Sequence, residues 1–275
     1  MEPKISACLV VRNEEPVIER CLKSIKDVVD EIIVVHDGKC EDKTLEICKK
    51  YGAKIFVRKY SGNVEGHRVF TYKKAKGDWI LQIDADEFLS TNARKNLRKL
   101  IKSNKADGYE FLWPHWDGKR YLTKKTPYKI CLFKKEKLSF LGILQESPRI
   151  KGKVLKVNLK LEHKPTYNNF TFKNFITKYL KWIKIQADQL LKDFQKIPKF
   201  QYPNKTWPWH LKLIRNLNII IAIPLFFYAF LFAFFRYFRK GENLIFILKI
   251  CFISALYYFI LALMVFYRKI RLALK

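Results

Sequence analysis

Glycine and proline are scarce in this chain of 275 residues, which contains 10 of each, whereas hydrophobic residues make up 49% and aromatic residues 15%. This composition excludes disordered, collagen-like and low-complexity proteins, because those classes lack the apolar side chains that build a core. The length allows one sizeable core with appended segments. We therefore expect a packed domain.

Acidic residues are the second shortage, since 25 Asp and Glu stand against 54 Lys and Arg, for a formal net charge of +29. Such an excess attracts polyanions. Nucleic acid, an anionic membrane surface and phosphorylated small molecules are all candidate partners. The charge alone does not choose among these three classes of partner.

Paired cysteine motifs are absent, because the six cysteines include no C-x-x-C pair. We expect reduced thiols in the cytosol rather than a zinc site or a disulfide framework. The sequence from Met1 leads straight into a strand pattern, without the charged and apolar regions of a signal peptide. The N-terminal domain is therefore expected to stay in the cytoplasm.

The N-terminal part of the chain alternates short apolar runs with helical patterns. The apolar runs have the length of strands and cover residues 5–11, 31–36, 53–57 and 79–83. Pro16 in a first turn and Asp42 as an N-cap mark the start of two intervening helices. This alternation predicts an α/β fold with a mainly parallel central sheet, in which ligands bind beyond the carboxyl ends of the strands.

The rhythm changes after a helical pattern at about 92–102. Three extended segments follow, separated by turn-rich or charged pieces, at 108–113, 128–133 and 154–161. These segments predict a mixed or antiparallel extension of the sheet. We assign residues 1–170 to one domain.

A basic amphipathic helix is predicted from Phe172 onward, because apolar residues recur at helical steps while lysines fall mostly between them. Such a helix either covers a core or lies at a membrane surface. The sequence Trp207-Pro208-Trp209, followed by an apolar run, favours the interfacial placement. Residues 171–210 are assigned to this helical linker.

Two long apolar runs follow, at 217–235 and 244–267, each about as long as a bilayer-spanning helix. Six lysines and arginines flank the pair and three lie in the connecting loop. The positive-inside rule then favours a multi-pass hairpin in the cell membrane, with the N-terminal domain on the cytoplasmic face. We expect two transmembrane helices within 211–275, and a pair of buried or half-inserted helices is the alternative.

The sharpest local feature is Asp84-Ala85-Asp86-Glu87 at the end of the fourth predicted strand. Two carboxylates spaced by two residues can coordinate a divalent cation that also binds a diphosphate. A D-x-D triplet alone is commonly a solvated turn, so the strand-end position is what gives this one weight. Asp37 also follows a strand, where it is either functional or the first residue of an Asp-Gly turn.

Three segments together resemble the family 2 glycosyltransferases, which have the GT-A fold, and within them the branch of lipopolysaccharide-core glucosyltransferases. They are ISACLVVRNEE at 5–15, DGKCEDKT at 37–44 and GDWILQIDADE at 77–87. The resemblance implies a membrane-anchored, inverting enzyme that moves a sugar from a nucleotide-sugar donor to a lipid-linked or cell-envelope glycan acceptor. It also implies Mg²⁺ or Mn²⁺ as cofactor and no nucleic-acid partner.

The resemblance assigns roles to residues that match the family pattern. Asp86 is implied as the metal ligand, and the implied donor-binding residues are Asn13, Glu15, Asp37, Arg68 and Asp84. The segment Lys39-Cys40-Glu41 departs from the small residues usual after the second strand. The family's nucleotide preference is therefore not carried over.

An inverting transferase needs a general base to take the acceptor's hydroxyl proton. Related sequences have a His-Glu pair downstream of the metal motif, and Gln145-Glu146 is similar with Gln in place of His, so Glu146 is the implied base. His163 is either a third metal ligand, a hydrogen-bond donor to the diphosphate or a structural residue. The aromatic cluster at 113–116 forms either a sugar-stacking platform or ordinary packing.

Two other classes of function stay open on the sequence. An aspartate-nucleophile phosphohydrolase or phosphotransferase would use Asp84 as nucleophile and Asp86 as acid, although that motif normally lies on the first strand and a small hydroxyl residue follows it. A basic module that binds nucleic acid or membrane without catalysis fits the charge but leaves the strand-end acids unexplained.

Overall fold

The computed structural model describes residues 2–122, 127–166, 171–216, 222–238 and 244–274. The chain divides into two compact units. The first consists of Met1–Tyr121, Thr126–Tyr167 and Pro198–Tyr202, and the second of Leu122–Lys125, Asn168–Ile197 and Pro203–Lys275.

The first unit is built on a sheet of eight strands. Its strands and helices, in chain order, are β1 (Ile5–Val11), α1 (Glu15–Ile25), β2 (Glu31–Asp37), α2 (Thr44–Lys50), β3 (Lys54–Arg58), α3 (Val64–Lys74), β4 (Trp79–Gln82), β5 (Glu87–Leu89), α4 (Thr91–Ser103), β6 (Gly108–Leu112), β7 (Tyr128–Lys134), β8 (Leu138–Leu141), β9 (Arg149–Ile150), β10 (Val154–His163) and, after the first helices of the other unit, β11 (Lys199–Phe200).

The strand order in the large sheet is β3-β2-β1-β4-β7-β6-β10-β5, and β11-β8-β9 form a smaller sheet. Strands β1 to β4 are mutually parallel where they pair, whereas β7 runs antiparallel to both β4 and β6. Strand β10 is parallel to β6 and antiparallel to β5. The predicted parallel sheet with a mixed extension is confirmed, while four short strands (β5, β8, β9 and β11) were not predicted.

Strand β1 is buried along its whole length, because helices cover both faces of the parallel part of the sheet. Helix α1 begins with Pro16 in its first turn and buries Ile18, Leu22 and Ile25 in the same core as Leu9. This packing fixes the loop between β1 and α1 above the carboxyl end of the strand.

Gly77 allows β4 to approach the start of β1. A Cβ at this position would lie 2.8 Å from the carbonyl oxygen of Lys4 and 2.8 Å from the amide nitrogen of Ser6. Both neighbours are backbone atoms and cannot move aside. A side chain here would therefore separate the two central strands.

The second unit is helical. It contains α5 (Phe172–Asn174), a π-helical turn at Phe175–Tyr179, α6 (Leu180–Leu191), α7 (Trp209–Asn216), α8 (Ala222–Phe238) and α9 (Leu244–Ala273). Helix α6 has the predicted amphipathic character, with Ile183, Ala187 and Leu190 buried. The hydroxyl of Tyr257 in α9 donates to the buried side chain of Gln186 at 2.7 Å.

Helices α8 and α9 pack against each other through Ala233, Ile247 and Cys251. Within the described residues, one helix, at Ile247–Ala273, is long and apolar enough to cross a membrane, and Ala222–Phe235 is a shorter apolar helix. The first of the two predicted spans includes residues 217–221, which lie outside the described part of the chain. Among the described residues the structure thus gives one helix of membrane-spanning length, whereas the sequence predicts two.

Candidate active site

The loops that follow β1 and β2 are joined by reciprocal hydrogen bonds. Asn13 accepts from the Glu41 amide at 3.1 Å and donates through Nδ2 to Glu41 Oε2 at 3.3 Å. Glu15 accepts from the Lys43 amide at 3.0 Å, and its own amide donates to Asp42 Oδ2 at 3.1 Å. The structure therefore brings the predicted donor residues Asn13 and Glu15 to one edge, where both also fix the loop after β2.

Asn13 has a φ of 50°, in the left-handed region that asparagine tolerates better than most residues. Its backbone N–H donates to His36 Nε2 at 3.3 Å, and Nδ1 of the same ring lies 2.9 Å from the Gly38 carbonyl oxygen. The first contact requires an acceptor and the second a donor. The buried His36 ring is therefore assigned as the neutral tautomer with the proton on Nδ1.

Asp37 lies at the carboxyl end of β2, as predicted, and its carboxylate binds a neighbouring loop. It accepts from the amides of Ser61 at 2.7 Å and Gly62 at 2.9 Å, and from His67 Nε2 at 2.9 Å. Burial opposes ionisation of this carboxyl, but His67 and the two amides outweigh it and lower the pKa of Asp37. Asp37 thus orders residues 61–62 at the edge of the site.

Asp84 is held between two cations. Its Oδ1 accepts from Arg68 Nη2 at 2.5 Å and its Oδ2 from Lys129 Nζ at 2.9 Å. Burial acts against the charged form, yet the guanidinium and the ammonium hold the pKa of Asp84 well below its usual range. Each carboxylate oxygen of Asp84 therefore already has a cationic partner.

Glu87, fully buried at the start of β5, continues the same network. Its Oε1 accepts from Lys129 Nζ at 2.6 Å and from the indole nitrogen of Trp113 at 2.5 Å, and its Oε2 accepts from the Asp84 amide at 2.9 Å. Burial raises the pKa of Glu87, while Lys129 acts in the opposite direction. The sequence interpretation gave no role to Glu87 or Lys129, and the only signal for Lys129 was a single lysine near the start of an apolar strand run.

Asp86 and His163 face each other across β5 and β10. His163 Nε2 lies 3.4 Å from Asp86 Oδ2, and the imidazole stacks on Trp113 with ring centroids 4.5 Å apart. A carboxylate oxygen and an imidazole nitrogen at this separation fit two neighbouring positions around one small divalent cation. No cluster of three or more candidate ligands occurs among the described residues, so the other positions would fall to diphosphate and water, as is common for Mg²⁺.

The loop that contains Glu146 is tied to helix α3. The Gln145 amide, in a residue with a φ of 69°, donates to Glu65 Oε1 at 3.4 Å, and Glu65 lies 4.0 Å from Arg68. Glu146 itself faces Arg149, with Nη2 to Oε2 at 3.4 Å. A chain of contacts therefore runs from the residue beside Glu146 through Glu65 and Arg68 to Asp84.

The predicted aromatic platform separates into two parts. Trp113 bonds Glu87 and stacks on His163, and His115 packs against its edge with centroids 5.3 Å apart. Trp116 instead packs edge-on against Tyr121 at 5.0 Å and lies under the Lys164 ammonium at 4.9 Å. Trp113 thus serves the carboxylate network, and Trp116 belongs to a separate surface cluster.

The family described as Glycosyl transferase family 2 matches residues 6–154, which is more than half of the chain. The chain therefore belongs to this family and is a glycosyltransferase. The expected GT-A fold class agrees with the family and with the sheet topology, and the hydrolase and binding-module alternatives are set aside.

Full-length relatives exist among curated proteins. An uncharacterized glycosyltransferase of Rickettsia felis is 29% identical over 258 residues, covering 87% of this chain and 89% of that protein. One from Rickettsia conorii is 28% identical and covers 86% of this chain and 88% of its own. The similarity thus extends beyond the family domain into the helical unit.

Among solved structures, S. aureus TarS 1–349 in complex with UDP-GlcNAc is similar at 14% identity, covering 97% of this chain and 92% of that chain, with a TM-score of 0.47. Glucosyl-3-phosphoglycerate synthase from Mycobacterium tuberculosis, in complex with Mn²⁺, UDP and glucosyl-3-phosphoglycerate, is similar at 17% identity over 74% of this chain and 82% of that chain, with a TM-score of 0.44.

Proposed function

We propose that this chain is a membrane-anchored, inverting glycosyltransferase that moves a sugar from a nucleotide-sugar donor to a lipid-linked or cell-envelope glycan acceptor. The observation that carries the proposal is the cluster at the end of β4 in a family 2 chain. Arg68, Asp86 and His163 supply a guanidinium, a carboxylate and an imidazole at the edge where ligands of parallel sheets bind. This combination suits a diphosphate and a divalent cation.

Asp86 and His163 would hold Mg²⁺ or Mn²⁺, and the ion would supply charge stabilisation to the departing diphosphate. Arg68 would add hydrogen-bond donors for the diphosphate, because a guanidinium offers five N–H groups and Asp84 engages only part of them. Asn13, Glu15 and Asp37 shape the nucleotide side by fixing the loops after β1 and β2.

Glu146 is the proposed general base. Its carboxylate lies 3.4 Å from the Arg149 guanidinium, and a positioned carboxylate oxygen can take the proton of the acceptor hydroxyl. The proton would pass from the acceptor hydroxyl to a Glu146 oxygen as the hydroxyl oxygen bonds to the anomeric carbon. The bond from that carbon to the diphosphate oxygen breaks in the same displacement, which inverts the configuration.

The proposed organisation is a catalytic domain over 1–170, an interfacial linker over 171–210 and two membrane helices within 211–275, in the cell membrane with the catalytic domain cytoplasmic. Exposed large apolar side chains on α8, among them Phe227, Leu231 and Phe235, support burial in lipid. If the tail is integral, the full chain will stay with membranes through an alkaline carbonate wash. Complete release would contradict the transmembrane assignment.

The reaction is tested with detergent-solubilised full chain and a panel of nucleotide sugars, with Mg²⁺ or Mn²⁺ and then with chelator. We expect metal-dependent release of nucleotide from one donor and a loss of at least about 1000-fold in Asp86→Ala, because removing a charge-stabilising group commonly costs about 100- to 1000-fold and this one also binds the ion. Asp27→Ala, at an exposed aspartate paired with Arg94, is the matched control and should turn over normally. Full activity in Asp86→Ala would refute the assignment.

A further inference from the structure

Lys129 is a largely buried cation that the proposed reaction does not use. It lies on β7, and its ammonium bridges two carboxylates, Asp84 Oδ2 at 2.9 Å and Glu87 Oε1 at 2.6 Å. The Lys129 side chain is 19% exposed and that of Glu87 is inaccessible. The ammonium also lies 5.4 Å from the centroid of the Trp113 ring.

An ionic group in such a place needs a reason, because taking a lysine and two carboxylates out of water is costly and an apolar side chain of similar volume is often as stable. With Arg68 the four groups form a neutral set of two cations and two anions. Its arrangement determines the direction of Asp84: Oδ2 faces Lys129 and Oδ1 faces Arg68. Without Lys129, only Arg68 would hold this carboxylate.

We propose that Lys129 is a positioning residue for sugar transfer. It fixes Asp84 so that Asp84 in turn holds the Arg68 guanidinium at the diphosphate position and stays outside the metal's ligand set. Asp86 and His163 are then the protein ligands. This inference rests on the proposed function and adds to it a residue 45 positions away in sequence from the motif it serves.

The same strand provides a matched control. Lys134, at the other end of β7, pairs with Asp107 at 3.0 Å and is 21% exposed, which resembles Lys129 in both distance and burial. Its partner lies far from the strand ends that carry Asp84 and Asp86, at the start of β6. Lys134→Met therefore shows how the loss of a similar lysine–carboxylate pair on β7 affects the protein when the pair lies away from the site.

The experiment compares wild type, Lys129→Met, Lys129→Met/Glu87→Gln and Lys134→Met as full chains in detergent. The double variant removes one charge of each sign, so the site stays neutral. We measure thermal unfolding midpoints, binding of Mn²⁺ alone, binding of UDP and of GDP with Mn²⁺ by calorimetry, and the kcat and KM for the donor.

We expect the double variant to unfold near the wild-type midpoint, to bind the nucleoside diphosphate with Mn²⁺ about 10-fold more weakly and to show a similar rise in donor KM, with kcat changed less than threefold. A loosened Arg68 weakens diphosphate binding most, which is why the effect falls on KM. Lys134→Met should match wild type in binding and turnover. A stable double variant with wild-type binding and KM would reduce Lys129 to a structural residue and overturn the inference.

Lys129→Arg decides the matter if the double variant does not fold. It keeps the charge, but the larger, planar guanidinium does not reproduce the two ammonium contacts at 2.9 and 2.6 Å without moving Asp84 or Glu87. We expect a folded protein with donor KM raised more than threefold, and a wild-type KM would overturn the inference. If the wild-type chain binds diphosphate and Mn²⁺ yet turns over no nucleotide sugar, the proposed transferase fails, while the binding comparison still tests Lys129.

Discussion

The acidic residues at the ends of β1 and β2 and those at the end of β4 find their hydrogen-bond partners in different ways. At the ends of β1 and β2, Glu15 and Asp37 accept from backbone amides of nearby loops. At the end of β4, Asp84 and Glu87 are neutralised by side-chain cations that come from other elements. The first arrangement shapes backbone, and the second arranges charge.

The difference has an energetic consequence. Removing a carboxylate that accepts from backbone amides leaves neutral donors without an acceptor, which costs about 1–3 kcal/mol when the donors are buried. A carboxylate removed from a buried ion pair leaves an uncompensated cation, which costs about 3–5 kcal/mol. Substituting a carboxylate that pairs with Lys129 at the end of β4 should therefore lower the free energy of unfolding more than substituting one at the end of β1 or β2.

Asp84→Ala should show the largest loss of stability. It removes the carboxylate that both Arg68 and Lys129 contact. We expect a loss of about 3 kcal/mol in the free energy of unfolding. This is the low end for a buried ion pair, because Asp84 is 31% exposed. Urea unfolding in detergent, followed by tryptophan fluorescence, measures it. Asp86→Ala is the control and should change the free energy of unfolding by less than about 1 kcal/mol, since Asp86 Oδ2 faces His163 Nε2 at the longer distance of 3.4 Å. Equal losses in the two variants would contradict the distinction.

Asp37→Ala is next, with an expected loss of about 2 kcal/mol, because the amides of Ser61 and Gly62 and the buried imidazole of His67 would lose their acceptor. Asp37→Asn keeps one acceptor oxygen and should lose less. The same unfolding measurement applies, together with amide hydrogen exchange at residues 61–62. Unchanged exchange in the alanine variant would show that Asp37 does not order this loop.

The contrast also explains what the sequence could predict. Strands β1 to β4 are at least four residues long and mostly apolar, and Asp37, Asp84 and Asp86 lie at the ends of such strands, so local patterns suffice for them. Lys129 reaches Asp84 and Glu87 from 45 and 42 residues away, and β5 pairs with β10 more than seventy residues later. No local pattern encodes such pairings. A short strand such as β5 has no apolar run to mark it, and Lys129 looks like any strand lysine.

Glu31 offers a pH-dependent version of the comparison, because it combines both kinds of partner. It accepts from Ser6 Oγ at 2.5 Å, the Lys76 amide at 2.6 Å and Lys54 Nζ at 2.7 Å. Burial opposes its ionisation, but Lys54, Ser6 and the Lys76 amide outweigh it and lower the pKa of Glu31 below 4.5. Because the pKa of Glu31 is lower in the folded state, ionised Glu31 contributes fully to the free energy of unfolding above pH ~4.5. This contribution is lost as the pH falls through the folded-state pKa.

Glu31→Gln should therefore lower the free energy of unfolding by about 1–2 kcal/mol at pH 7, with a difference from wild type that shrinks below pH ~4.5. Unfolding curves between pH 7 and pH 3 measure this. The Asp27→Asn variant, which removes an exposed ion pair with Arg94, is the control and should unfold nearly as wild type at pH 7. A difference that stays constant for Glu31→Gln across this range would contradict the ionic contribution.

Glu15→Gln should have the smallest effect, below about 0.5 kcal/mol, because a glutamine keeps an oxygen for the Lys43 amide at 3.0 Å. Glu15→Ala removes that acceptor and should cost about 1 kcal/mol. This pair separates two roles for Glu15. If Glu15 acts by fixing the loop after β2, donor KM should rise only in the variant that loses stability. The glutamine variant then has a wild-type KM, and the alanine variant has a raised KM. If KM instead rises equally in both variants while the glutamine protein stays fully stable, the charge of Glu15 contacts the donor itself, and the backbone-shaping role assigned to this strand end would apply to Asp37 alone.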